Sequence, residues 1–300
     1  MKHTDSSAVV PAPDHCPCRP DPGDLPEVLL RPRVDDASID PPLLVATADY
    51  EIGVWRSKAL ANHIVEWVLD YSLRHSEREH LSPGRALEIT RRAMKATFGN
   101  GGDRGVPAEI LLHAICRQFF GSDPVISKVW FKTANNDTYK GFDGVHAVHG
   151  GSGLELWLGE AKFYKSADRA IESVFAELQE HLDSDYLRDE FALVASKIDD
   201  AHPHSRELRL LMHENTSLDE VFDRIVIPIL ITYDSSSTLN HTKVCPEYVE
   251  DLEVEVRRIW LKLRNKLGTT LPVAVRLFLV PLGDKAALQN ALTTELRKWR

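Results

Sequence analysis

Residues 153–164, GLELWLGEAKFY, read as a strand whose apolar run is broken by Glu160 and Lys162, two residues apart. Side chains on a strand alternate faces, so these two project the same way. Opposite charges side by side on one face of a buried strand are costly unless they are paired or in use. Upstream, TYKGFDGVHAVH over 138–149 reads as a second strand, and the GGSG between the two is a hairpin-turn signal. With that turn centred near Ser152, Asp143 lies opposite Glu160, and directly opposed residues share a face. Asp143, Glu160 and Lys162 then converge on one patch, an arrangement that a register shift of one residue would destroy.

Two carboxylates a few ångström apart repel, and one is hard to ionise unless a cation lies between them. Magnesium or manganese suits such a place, because these ions prefer carboxylate, carbonyl and water oxygens and need only one or two carboxylates. Lys162 on the same face would hold a metal-bound or attacking water, or stabilise a developing oxyanion. The substrate that best matches a divalent cation beside a lysine is a phosphodiester. Glu109, in VPAEILLH just before the strands, is a candidate third metal ligand. Helix starts favour Glu for dipole reasons alone, so its place at the site stays open. EAK is the chain's only Asp/Glu-x-Lys triplet, and the competing reading is a plain structural salt bridge.

Other groups suggest less. His15, Cys16 and Cys18 form at most half a zinc site, with no second half downstream, and sit in what reads as a flexible leader. His113, Cys116 and Gln118 share one helix and read as packing and surface. His146 falls on the face opposite Asp143, and with His149 is read as structural or solvent-facing. DDAHPHSRE, 199–207, reads as a loop. Lys165 and Arg169 follow the motif and could touch a phosphate backbone, with solvated charge as the equal alternative.

The elements that must position these residues follow from periodicity. Residues 1–42 hold nine of the 17 prolines and read as an extended arm. Helical patterns cover the stretch from about 53 to 72 and residues 83–98, before the breaker GNGGDRG at 99–105. A third helix starts at VPAEILLHAICRQFF. Strands are expected at 125–133, 138–149 and 153–164, then an amphipathic helix at 167–182 and an acidic helical or loop region over 183–222. Strand 224–234, helix 247–266, strand 272–282 and a short helix complete the chain. A hairpin mixed with strand–helix–strand units implies an α/β fold with a mixed central sheet covered by helices. The expected divisions are an arm over 1–45, a helical part over 46–106 and an α/β domain over 107–300.

Composition sets limits. A net charge of −9 argues against a general nucleic-acid coat, although residues 91–169 carry more Lys and Arg than Asp and Glu. No signal-peptide h-region and no long uncharged apolar stretch is present, so a membrane is not expected. Four scattered cysteines do not make a disulfide framework, and a cytoplasmic location is expected.

GFDG supplying Asp143 and GEAK supplying Glu160 and Lys162 resemble the PD-(D/E)xK, restriction-endonuclease-like superfamily. Its core order of helix, three-strand meander, helix and strand matches 107–234. The literal Pro-Asp is missing, since Phe142 precedes Asp143. LWLGEAKFYKS together with GFDGVH is more closely similar to the HamA family of the Hachiman antiphage system and AbpA-type relatives, from about residue 55 onward. That resemblance implies a metal-dependent DNA nuclease effector of bacterial defence, restrained by a HamB-like superfamily 2 helicase. It also draws attention to Gln179, on the following helix, where some relatives keep a DNA-contacting Gln. The alternative is a catalytically silent subunit that docks the helicase.

Overall fold

The computed structural model describes residues 25–99, 105–131, 141–150, 153–268 and 271–299. A seven-stranded mixed sheet runs through the molecule, with helices on both faces, as the alternating pattern predicts. Its strands are β1 (Arg31–Asp36), β2 (Leu43–Thr47), β5 (Asp123–Ser127), β6 (Gly144–Gly150), β7 (Gly153–Phe163), β8 (Ile225–Asp234) and β9 (Ala274–Leu282), in the order β1-β2-β9-β8-β7-β6-β5. A separate two-residue pair, β3 (Tyr50–Glu51) and β4 (Val54–Trp55), precedes the first helix. The neighbours β2, β9, β8 and β7 run parallel, whereas β7–β6, β6–β5 and β1–β2 are antiparallel.

One face of the sheet packs on α6 (Ala167–His181), α7 (Ser184–Lys197) and α11 (Pro246–Leu267). The other packs on α1 (Ser57–Glu66), α2 (Val68–Ser72), α4 (Ala86–Phe98), α5 (Val106–Phe120) and α12 (Lys285–Leu296). The strand β7 divides its side chains accordingly. Leu154, Leu156 and Leu158 enter the first layer and Trp157, Ala161 and Phe163 the second. Helix α5 is buried from Val106 to Arg117, so it carries apolar residues all round rather than one stripe. Among the described residues no helix is long and apolar enough to cross a membrane.

Several sequence expectations need correction. The arm expected over 1–45 is not one along its described part, because Arg31–Asp36 and Leu43–Thr47 are strands. All five residues of β2 are buried against β9, and that burial outweighs the proline-rich composition. His15, Cys16 and Cys18 lie outside the described residues. The helices of 46–106 share one apolar core with the sheet of 107–300, through Leu60, Trp67, Ile110, Trp157 and Phe278. The first of the three strands ends early, at Ser127, and Lys128–Phe131 form a 3₁₀ turn. Leu87 on α4 is 56% exposed, off the buried face of Ala93 and Met94. The stretch 183–222 resolves into α7, α8 (Ser205–Leu211) and α9 (Leu218–Phe222).

Gly159 on β7 permits the close approach of α5. A Cβ there would lie 2.7 Å from Leu112 Cδ2 and 3.3 Å from the Gly144 carbonyl. Gly159→Ala is expected to destabilise the chain by about 1–3 kcal/mol through overpacking, read as a lower urea midpoint. An unchanged midpoint would mean that Leu112 yields at no cost.

Candidate active site

The β6–β7 hairpin pairs Gly144 with Gly159 and Gly150 with Gly153, the register that a turn near Ser152 requires. Asp143 continues that ladder opposite Glu160. Its amide donates to the Gly159 carbonyl at 2.9 Å, and its Oδ2 accepts from the Ala161 amide at 2.9 Å. Asp143 is therefore fastened to the strand that bears the Glu-x-Lys pair. Glu160 and Lys162 continue the alternation of Leu154, Leu156 and Leu158 and face α6. Lys162 Nζ donates to Glu160 Oε1 at 2.6 Å and to Glu177 Oε2 at 2.5 Å. Glu160 is 1% exposed.

Glu109 lies in the first turn of α5, where Pro107 starts the helix. It is buried, its Oε2 accepts from the Tyr71 hydroxyl at 2.7 Å, and its Oε1 is 3.9 Å from Lys128 Nζ. Lys128, on the 3₁₀ turn after β5, donates to Asp143 Oδ1 at 2.8 Å. Four carboxylates, Glu109, Asp143, Glu160 and Glu177, thus alternate with two ammonium groups, Lys128 and Lys162. If all are ionised, two negative charges are in excess.

Burial and that imbalance together set the electrostatics. Burial and then Asp143 push the Glu160 carboxyl well above its usual range, although Lys162 beside it pulls the other way. Burial alone would lower the Lys162 ammonium, but Glu160 and Glu177 outweigh it and raise it. Lys128 is likewise raised by Asp143 and Glu109 against the pull of burial. Glu177 is held low, against burial, by hydrogen bonds with Glu160 and Lys162. Both lysines therefore act as cations and hydrogen-bond donors at neutral pH, not as bases.

Glu109, Lys128, Asp143, Lys162 and Glu177 line a cleft of about 1090 Å³, and Glu160 lies buried beneath Lys162 and Glu177, out of its lining. Lys165, Arg169 and Lys285 line it too, which adds a basic wall beside the acids. The Lys285 ammonium donates to the Phe163 carbonyl and lies 4.3 Å from the Phe163 ring centroid. Gln179 is exposed and does not line the cleft. On α6 the residues Ala170, Val174, Leu178 and His181 are buried, and Ser173, Glu177 and Glu180 turn to the cleft. Gln179 is two positions out of phase with Glu177 at a helical period of 3.6.

The remaining candidates serve packing or other contacts. His113 is buried with its Nε2 2.6 Å from Asp70 Oδ1, and Cys116 is buried beside it on α5. The Gln118 side-chain amide donates to the Pro26 carbonyl at 3.2 Å. His146 is buried, with Nδ1 2.8 Å from Ser122 Oγ. His149 Nε2 lies 3.2 Å from His204 Nε2 at the surface. His202, read as part of a loop, is buried with Nε2 3.1 Å from Asp123 Oδ2. Sequence reasoning missed Lys128, Glu177, Tyr71 and Lys285. A Ser173–Glu177 spacing of four on the amphipathic α6 was the available signal for Glu177.

For a divalent cation the chain offers two carboxylates. Among the described residues no three His, Cys, Asp or Glu side chains gather closely enough to hold a metal ion on their own. Asp143 and Glu160 would be those two, and a magnesium ion needs no more carboxylates when waters complete its shell. The repulsion that raises Glu160 is the kind a cation between the two would relieve. Glu109 instead faces Tyr71 and Lys128.

No curated protein matches the chain as a relative. A family model for HamA matches residues 26–296, which brings β1 and β2 inside the family region and moves its start well before residue 55. Over nearly its whole length, then, this chain belongs to the HamA family, the family of a component of the Hachiman antiphage system.

Proposed function

We propose that the chain is a metal-dependent nuclease of the PD-(D/E)xK class that cleaves phosphodiester bonds of DNA as a defence effector. The observation that carries this reading is Asp143 lying opposite the buried Glu160, with Lys162 bound to Glu160, and Asp143 and Lys162 both lining a cleft that has a basic wall. Asp143 and Glu160 would hold Mg²⁺ or Mn²⁺, which when bound supplies Lewis acidity to the scissile phosphate and lowers the pKa of a coordinated water. Lys162, kept charged by Glu160 and Glu177, donates from Nζ to the attacking water or to a phosphoryl oxygen as charge builds on it. Glu177 positions that ammonium and leaves its third hydrogen for the substrate side. Lys165, Arg169 and Lys285 suit contacts with the phosphate backbone.

The acidic bulk of the chain supports delivery of DNA by a partner, and the family resemblance points to a HamB-like superfamily 2 helicase in a cytoplasmic setting. A second reading is favoured by one observation: Lys128 and Lys162 already neutralise much of the acid cluster through internal ion pairs. On that reading the site is structural and the chain docks the helicase without catalysis. Supercoiled plasmid incubated with the full chain and Mg²⁺ or Mn²⁺, with and without the helicase, distinguishes the two. Nicking that chelation by EDTA abolishes is expected. Intact plasmid under every metal and partner condition favours the silent subunit.

A further inference from the structure

The two oxygens of Asp143 are used differently. Oδ2 is committed to the Ala161 amide, an internal bond that fastens Asp143 to β7. Oδ1 is the one that remains for a ligand, and Lys128 Nζ stands 2.8 Å from it. A divalent cation on Oδ1 would lie within about 2.1 Å of that atom, and so would meet the ammonium at short range. Two cations on one carboxylate oxygen repel strongly where water screens them little. Lys128 must therefore give way for a metal to bind.

The cleft provides a place for it to go. Glu109 Oε1 is 3.9 Å from the same Nζ, one small side-chain rotation away. Tyr71 holds the other oxygen, Oε2, at 2.7 Å, which fixes the carboxylate with Oε1 toward Lys128. The lysine stem has four rotatable carbons and can move its charge without moving the backbone.

We propose, building on the metal-dependent reading above, that Lys128 is a displaceable internal counter-ion. It holds Asp143 Oδ1 when no metal is bound and transfers to Glu109 when a divalent cation arrives. Glu109 is then the dock for the displaced ammonium and not a metal ligand. The chain without metal keeps Asp143 paired, and affinity for metal is set by how readily the lysine leaves.

The test is a double-mutant cycle on Mn²⁺ affinity, read by isothermal titration with the full chain, with thermal melts to verify folding. Lys128→Met is expected to tighten Mn²⁺ binding about tenfold or more, because a site whose competent form is a minor fraction loses affinity by that fraction. Lys128→Gln, which keeps a hydrogen bond to Asp143 but no charge, is expected to tighten it less and keeps the test open if the Met variant misfolds. Glu109→Gln alone is expected to weaken binding, since the lysine loses its dock. The double variant Glu109→Gln with Lys128→Met should bind as tightly as Lys128→Met. If it binds more weakly by the same factor as Glu109→Gln alone, Glu109 is a ligand and the exchange is overturned. Unchanged or weaker binding in both Lys128 variants overturns it as well, while Mn²⁺ binding by the wild type keeps the metal site standing. No Mn²⁺ binding by any form, wild type included, removes the metal-dependent reading and the exchange together.

Discussion

Lys162→Ala and Glu160→Gln should each lower metal-dependent DNA cleavage by at least about 10²-fold, the usual loss when one donor to a developing oxyanion is removed. The geometry gives each variant a distinct defect. Without Lys162 the charge-stabilising donor is gone, and Glu177 loses the partner that its 2.5 Å contact represents. Without the Glu160 charge the metal keeps one carboxylate, Asp143, and Lys162 keeps Glu177. Glu160→Gln should therefore weaken metal binding as well as the rate, whereas Lys162→Ala should chiefly lower the rate. Joint replacement of Glu160 and Lys162 by Leu and Met tests the structural alternative. A buried ion pair exchanged for apolar residues of similar volume is often neutral or stabilising. The double variant is expected to melt near the wild type and to cleave nothing. Cleavage at the wild-type rate by Lys162→Ala would sink the assignment.

Asp70→Ala should cost about 3–5 kcal/mol in urea denaturation, because it leaves the buried Arg117 without its counter-ion. Asp70, on α2, accepts from Arg117 Nε at 2.9 Å and Nη2 at 3.2 Å, and its Oδ1 is 2.6 Å from His113 Nε2. Arg78 stands 3.6 Å from its other oxygen. Arg117 is 5% exposed and donates besides to the Ser122 carbonyl at 2.5 Å. Burial alone would raise the Asp70 carboxyl, but Arg117, His113 and Arg78 hold it far below the ordinary carboxylate range. A folded-state pKa below the unfolded one means that the contribution is complete above the ordinary carboxylate range and is lost as pH falls through it. The wild type should thus lose stability in acid more steeply than Asp70→Asn, measured by urea midpoints from pH 6 downward. A loss under about 1 kcal/mol in Asp70→Ala would show that the arginines are satisfied elsewhere.

Much of the site was legible because it depends on local geometry. The GGSG stretch signals a hairpin in the sequence, and the β6–β7 register alone sets Asp143 across from Glu160. The period of two along β7 makes Glu160 and Lys162 neighbours on one face. Residues that reach the cleft from elsewhere were hidden. Lys128 looked like one more alternating residue of a strand, and only the turn after Ser127 brings its ammonium to Asp143. Glu177 and Gln179 differ by two helical positions, and only the packing of α6 on the sheet decides which faces inward. The strands β1 and β2 were concealed by proline content, since composition describes the unassembled chain, whereas β9 supplies the partner of β2 and β2 that of the edge strand β1.

That last feature bears on how far the molecule can be trimmed. The parallel strand β9 is buried along most of its length, and β2 covers its outer side from Leu43 to Val45 opposite Leu277 to Leu279. Starting the chain at residue 50 would keep every acid and lysine of the cleft and still lay bare a row of unpaired amides and carbonyls on an apolar strand. Such an edge invites a second chain to pair with it, so self-association would follow from shortening a part of the molecule remote from the chemistry.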